Sequence, residues 1–280
     1  MQEQSLKILS RRLPKRCSIC LRRKPMTKDH LFPTGLLAPG TRIIRDFLQI
    51  ATGKPQKKTK NSITQNGLKK ANICGQCNNN LLGSQLDPSL IDLYDKAKFF
   101  TENLRFIIGK SIKLEKVYLK KVCRAVLAHI IAFDDEANYR AQYMKDIRRF
   151  IFRDDFKLPE EYSVYVWIYP YKTQSLTRNI VALQSFGTDA MLFFSSYKTF
   201  PLGFLFGHES GGYKVPVPGM VEVSKALAAD PEKQYNLWLP IGRIPPENWP
   251  EAPEKNGALA TGGEPGVSTH PYVKKKAYPY

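Results

Sequence analysis

Cys17-Ser18-Ile19-Cys20, then Lys28-Asp29-His30-Leu31-Phe32-Pro33, then Cys74-Gly75-Gln76-Cys77-Asn78 decide how this chain is read. Four thiols in two C-x2-C pairs are the ligand set of a closed tetrahedral zinc site. The pairs are separated by 53 residues, whereas one compact ribbon closes over roughly 15–20. A zinc ion here therefore staples the ends of a long insertion. Held by Cys17, Cys20, Cys74 and Cys77, it has no open position, so its role is structural. The staple brings a carboxylate, an imidazole and an amide, from Asp29, His30 and Asn78, toward one place.

Charge follows the same segment. The chain of 280 residues carries a net charge of +18. Residues 1–80 hold 17 Lys and Arg against 3 Asp and Glu, and residues 81–280 hold 26 against 22. A positive field confined to the region of the metal ligands favours a polyanion, whose counterions are released on binding. DNA is the expected partner, with RNA as the lesser alternative. The opening residues show no apolar signal segment, and charges interrupt the best apolar run, Val117 to Phe133. Cysteines paired at metal spacing suit a reducing compartment. A cytoplasmic protein with no membrane partner is the expectation.

Outward from the cysteines, Ile43, Ile44, Phe47 and Leu48 fit one short helical face. Residues 52–67 read as an exposed, Lys-rich loop. A helix is predicted from Asn78 or Asn79 to Gly83, and another from Asp87 with Leu90, Leu93, Tyr94 and Ala97 on one face. Further helices are predicted over Leu114–Phe133 and Glu136–Phe152. Beyond Pro159, short runs rich in Val, Ile, Tyr and Phe predict antiparallel strands at Tyr162–Tyr169, Asn179–Gln184, Ala190–Ser195 and Leu202–Phe206. The fold class is α+β. Its expected domains are 1–95 around the zinc, 96–243 as an α+β accessory or regulatory domain, and 244–280 as a Pro/Gly-rich extended tail. Residues 1–95 are expected to fold alone and hold zinc.

Over residues 13–95 the order of knuckle, Asp-His, Pro three residues on, knuckle and Asn resembles the HNH endonucleases, the zinc-bound branch of the ββα-metal superfamily. The resemblance implies an N-terminal ββα-metal domain that hydrolyses phosphodiester bonds of DNA. By position, His30 matches the general base, while Asp29 and Asn78 match the ligands of one catalytic cation. Their oxygen donors suit Mg2+ or Mn2+, and a neutral imidazole can deprotonate water at physiological pH. Asp29 and His30 are neighbours, so a regular strand would turn them to opposite faces. The family's middle Asn, which braces the base, is replaced by Lys69, with Asn66 and Asn72 close by. The resemblance also suggests a role in restriction or phage defence.

Arg22, Arg23, Lys24 and Lys28 are candidate phosphate contacts, and Lys57 and Lys58 candidate nonspecific ones. The alternative to an enzyme is a zinc-stapled nucleic-acid-binding module without activity. Residues 96–243 leave three readings open: positioning nucleic acid, sensing a ligand, or binding a regulatory protein or second copy. His129, on an apolar helix face, reads as a satisfied core histidine. His208 reads as a turn residue, His270 as part of the tail and Cys123 as a small buried hydrophobe.

Overall fold

The structure is a computed structural model that describes residues 15–52, 62–102, 109–133, 141–183, 190–210, 219–252, 257–261 and 264–272. From the first knuckle the chain runs into β1 (Met26–His30). After β1 come β2 (Arg42–Asp46), α1 (Phe47–Thr52) and β3 (Ile63–Thr64), before β4 (Lys69–Cys74) returns antiparallel to β1. The second knuckle opens directly into a helix. Residues Gln76–Leu86 are wound as a wide π-helix, in which the Ser84 hydroxyl donates to Asn79 O at 2.9 Å, and Asp87–Glu102 continues as α2. Gly83 does not end this helix: the wider winding carries the chain through it to α2.

The remaining elements are β5 (Ser111–Val117), α3 (Leu119–Ala132), α4 (Gln142–Phe152), β6 (Tyr162–Ile168), β7 (Gln174–Leu183), β8 (Met191–Thr199), β9 (Leu202–Ser210), β10 (Met220–Glu222), β11 (Tyr235–Pro240), β12 (Ala258–Thr261) and β13 (Gly266–Pro271). The class is α+β with antiparallel sheets. A nine-stranded sheet runs β10-β6-β9-β8-β7-β13-β2-β3, with β12 on the far half of β7. β11 and β5 form a separate pair, as do β1 and β4.

Helix α3 sits at the centre: every residue except Lys121 is buried. Its buried cations are satisfied by main-chain carbonyls: Lys120 Nζ donates to Ala229 O at 3.1 Å and Arg124 Nε to Ile151 O at 2.9 Å. The β1–β4 hairpin, the π-helix, α2, α4 and the large sheet share one hydrophobic core around it. Three polar ties fix the knuckle and the loop after His30 to this core. Arg148 Nε donates to Ser18 O at 2.9 Å. Asn72 Nδ2 donates to Ala132 O at 3.2 Å. Gln174 Nε2 donates to Leu36 O at 2.9 Å.

Several elements differ from the sequence reading. Of the expected helical face, Phe47 and Leu48 lie in α1, but Ile43 and Ile44 lie in the strand β2, because β13 pairs with it along Arg42–Asp46. The expected helix from Leu114 begins only at Leu119. The preceding β5 buries Ile112, Leu114 and Val117 and pairs with β11. The segment 244–280 is not loose where described: β12 and β13 dock on β7, and β13 joins β7 to β2. His270 therefore lies in the sheet, and His208 in β9 rather than a turn. Segments 1–95, 96–243 and 244–280 thus interlock through one sheet and one core. Residues 136–140 of the expected fourth helix lie outside the described residues. Among the described residues no helix is long and apolar enough to cross a membrane.

Candidate metal centre and the groups beside it

The four knuckle cysteines converge. The Sγ atoms of Cys17, Cys20, Cys74 and Cys77 all lie within 4.8 Å of one another. Cys20 Sγ and Cys74 Sγ are 3.8 Å apart. That matches the edge of a tetrahedron with Zn–S bonds of about 2.3 Å, which is about 3.8 Å. The first knuckle is closed by the Leu21 N–H donating to Cys17 O at 2.8 Å, which puts Leu21 at φ 60. The Cys74 N–H donates to Cys17 Sγ at 3.4 Å, the kind of main-chain bond that steadies a thiolate. The thiol of Cys77 hydrogen-bonds to Cys17 and draws its pKa down to about 4, while the same contact pushes Cys77 upward. The cluster can hold a zinc ion.

His30 ends β1, and its ring is held from the turn before β4. His30 Nε2 lies 3.0 Å from Asn66 O. A carbonyl only accepts, so Nε2 carries the proton and Nδ1 the lone pair. The turn is built for this: Thr64 Oγ1 donates to Gly67 O at 2.8 Å, and Gly67 adopts φ +70. The ring is therefore held by the main-chain carbonyl of Asn66. Lys69 is the cross-strand partner of His30. Burial first, then Lys69, lowers the His30 pKa, with the Asn66 carbonyl and Asp29 opposing them. The imidazole is neutral at physiological pH.

Asp29 turns inward. A register shift between Thr27 and Asp29 breaks the regular ladder, as a β-bulge does when it re-aims a side chain. Asp29 Oδ1 accepts from the His30 N–H at 2.8 Å. Its Oδ2 is buried without a hydrogen-bond partner. Burial raises its pKa, opposed first by His129. Asn78 sits at the start of the π-helix, where its Nδ2 donates to Thr27 Oγ1 at 3.1 Å. The helix start is thereby pinned to β1 two residues before Asp29.

Of the basic candidates, Arg22, Arg23 and Lys28 are exposed. Lys24 Nζ donates to Gln76 Oε1 at 2.9 Å, across to the helix start. Lys57 and Lys58 lie outside the described residues. Cys123 is buried, and burial pushes its thiol up to about 12.

Sequence reasoning missed two residues. His129 is 1% exposed, and its Nε2 bonds to Asp87 Oδ1 at 3.0 Å, but its Nδ1 has no partner. Asp87 read only as a helix start. The two are 42 positions apart, and a local pattern holds no trace of the contact. Comparison of the chain with protein-family models, with curated proteins and with solved structures finds no match in any of the three.

Proposed function

We propose that this protein is a metal-dependent endonuclease of the HNH type that hydrolyses phosphodiester bonds of DNA. The observation that carries the reading is His30, a neutral imidazole with one nitrogen committed to Asn66 O, at the end of a hairpin stapled by four cysteines. Antiparallel β1 and β4 followed by a helix from the second knuckle follow the ββα order that the resemblance implies.

In this account His30 Nδ1 takes the proton of the attacking water. The Asn66 carbonyl keeps the tautomer that makes this possible. Asp29 and Asn78 are the residues to hold a divalent cation, Mg2+ or Mn2+. When bound, it supplies positive charge to the scissile phosphate and leaving oxygen. Arg22, Arg23 and Lys28 add sequence-independent phosphate contacts. Residues beyond 95 position the substrate or regulate the cut, in restriction or phage defence.

One observation favours the non-catalytic reading: the Asn78 amide is engaged by Thr27, and Asp29 Oδ2 lies beneath the surface. A chain that kept both in that state would bind nucleic acid without cutting it. Labelled DNA and RNA duplexes incubated with zinc-loaded protein and Mg2+ or Mn2+ separate the readings. The nuclease yields cleaved DNA; retarded but intact DNA under both metals identifies the binder.

A further inference from the structure

Between helix α4 and one face of the large sheet lies a cavity of about 360 Å3, bordered on the helix side by Tyr143 and Ile147. That volume is in the range of small-ligand sites. Strand register decides which sheet residues face it. Tyr162 and Phe193 both pair with His208, and Ser195 pairs with Phe206. Alternation along the strands therefore puts all five side chains on one face, and all five line the cavity. The Tyr162 and Phe206 rings are stacked, 5.4 Å apart and 14° from parallel. A flat ring can continue that stack. Phe193, at 47% exposed, leaves a further aromatic surface open beside it.

The polar part of the wall comes from a distortion. The β7–β8 register shifts between Thr177 and Ile180, so Arg178 and Asn179 share the position opposite Ser195. Asn179 takes φ 52, and its N–H donates to Ser195 Oγ at 3.3 Å. Ser195 is 7% exposed, and its hydroxyl proton has no acceptor among the described residues. The Asn179 side-chain amide likewise makes no hydrogen bond among the described residues, and both residues line the cavity. Bulges re-aim side chains beside functional sites, and a buried hydroxyl is ordinarily paired. Charge narrows what could pair with it. In a chain of net charge +18, the lining holds one carboxylate, Glu161, and no lysine or arginine. An anionic group would enter without a counterion. Arg178 borders only a smaller recess of about 10 Å3, room for about one water molecule.

We infer that this cavity binds a flat, uncharged heterocycle of the nucleobase class, stacked on the Tyr162–Phe206 wall and held by the Asn179 amide and the Ser195 hydroxyl. An Asn amide offers a donor and an acceptor side by side, the pattern that matches the edge of a base. Ser195 gives its proton to a ring nitrogen or carbonyl oxygen. Such a site goes beyond the nuclease reading and holds whether or not the protein cuts DNA.

The test is calorimetric titration of the zinc-loaded full chain with adenine, hypoxanthine, cytosine and thymine, with the nucleoside 5′-monophosphate of each base that binds, and with choline as an organic cation. Wild type is expected to bind at least one base, and to bind its monophosphate at least about tenfold more weakly. Asn179→Gly tolerates the left-handed backbone and should lower base affinity about tenfold by removing the amide. Tyr162→Leu should lower it about tenfold or more by removing the stack. His30→Ala binds the base as wild type does. Melting temperature reports whether each variant is folded. Should Tyr162→Leu fail to fold, Asn179→Gly and the monophosphate comparison still decide. No base bound by wild type, base affinity unchanged in Asn179→Gly, or base binding lost in His30→Ala overturns the site. A monophosphate bound as tightly as its base, or choline preferred to every base, overturns the ligand class. Cleaved DNA without base binding leaves the nuclease standing, and base binding without cleavage leaves this site standing.

Discussion

Lys69 stands directly across the β1–β4 ladder from His30, and its charge adds to burial in holding the imidazole neutral. A general base works in its neutral form, above its pKa, so a lowered pKa extends activity toward acid. Lys69→Ala lifts one of the two lowering influences. The acid limb of kcat/KM against pH is then expected to move to higher pH, with the alkaline side unchanged. Lys69→Glu moves it further the same way. A profile indifferent to both substitutions removes His30 as the titrating group.

Gly67 shapes the brace. At φ +70, a Cβ there would meet Leu37 Cδ2 at 2.5 Å and His30 Cδ2 at 3.3 Å. Gly67→Ala is expected to destabilise the protein by about 1–2 kcal/mol through the left-handed backbone. It should also lower kcat at least about tenfold by displacing the ring or its carbonyl partner. Thermal melts and single-turnover cleavage measure the two effects separately.

Zinc is expected at one ion per chain by elemental analysis. Chelation under reducing conditions, or Cys17→Ser, should lower the melting temperature by about 10 °C and abolish cleavage. Added Mg2+ should not restore it. Zinc-free protein with an unchanged melting temperature would contradict the staple.

The shared core makes a prediction about truncation that departs from the sequence reading. Residues 1–95 alone would expose Leu82, Leu86, Leu90 and Leu93, all buried in the core they share with α3. They would also lose the Ala132 carbonyl that Asn72 bonds and the Arg148 side chain that holds Ser18. The fragment is expected to aggregate or remain unfolded at any zinc concentration, as dichroism and sedimentation would report.

What the sequence made legible was local. Cysteine spacing carries its own ligand chemistry, and runs rich in Val, Ile, Tyr and Phe marked β6 to β9, although β7 begins at Gln174 rather than at Asn179. Pairings between distant segments were hidden. Arg42–Asp46 becomes a strand because Gly266–Pro271 comes to lie beside it, and nothing within five residues of Ile43 announces that. Ile112 and Leu114 do alternate, but they run into the helical pattern from Leu119 and were absorbed by it. At the site, Asp29, His30 and Asn78 were readable because they flank the knuckles. Asp87 and His129 were not, since only the packing of α2 on α3 joins them. Asn66 acts through its carbonyl, so any residue type at that position could serve.

The most direct measurement is plasmid cleavage by zinc-loaded protein in Mg2+ or Mn2+, wild type against His30→Ala, with DNA affinity followed in parallel. Wild type is expected to give nicked or linear product. The variant should lose at least about a hundredfold in rate while keeping its affinity for DNA. Equal cleavage by both proteins, or none by wild type while DNA is bound, would contradict the nuclease reading.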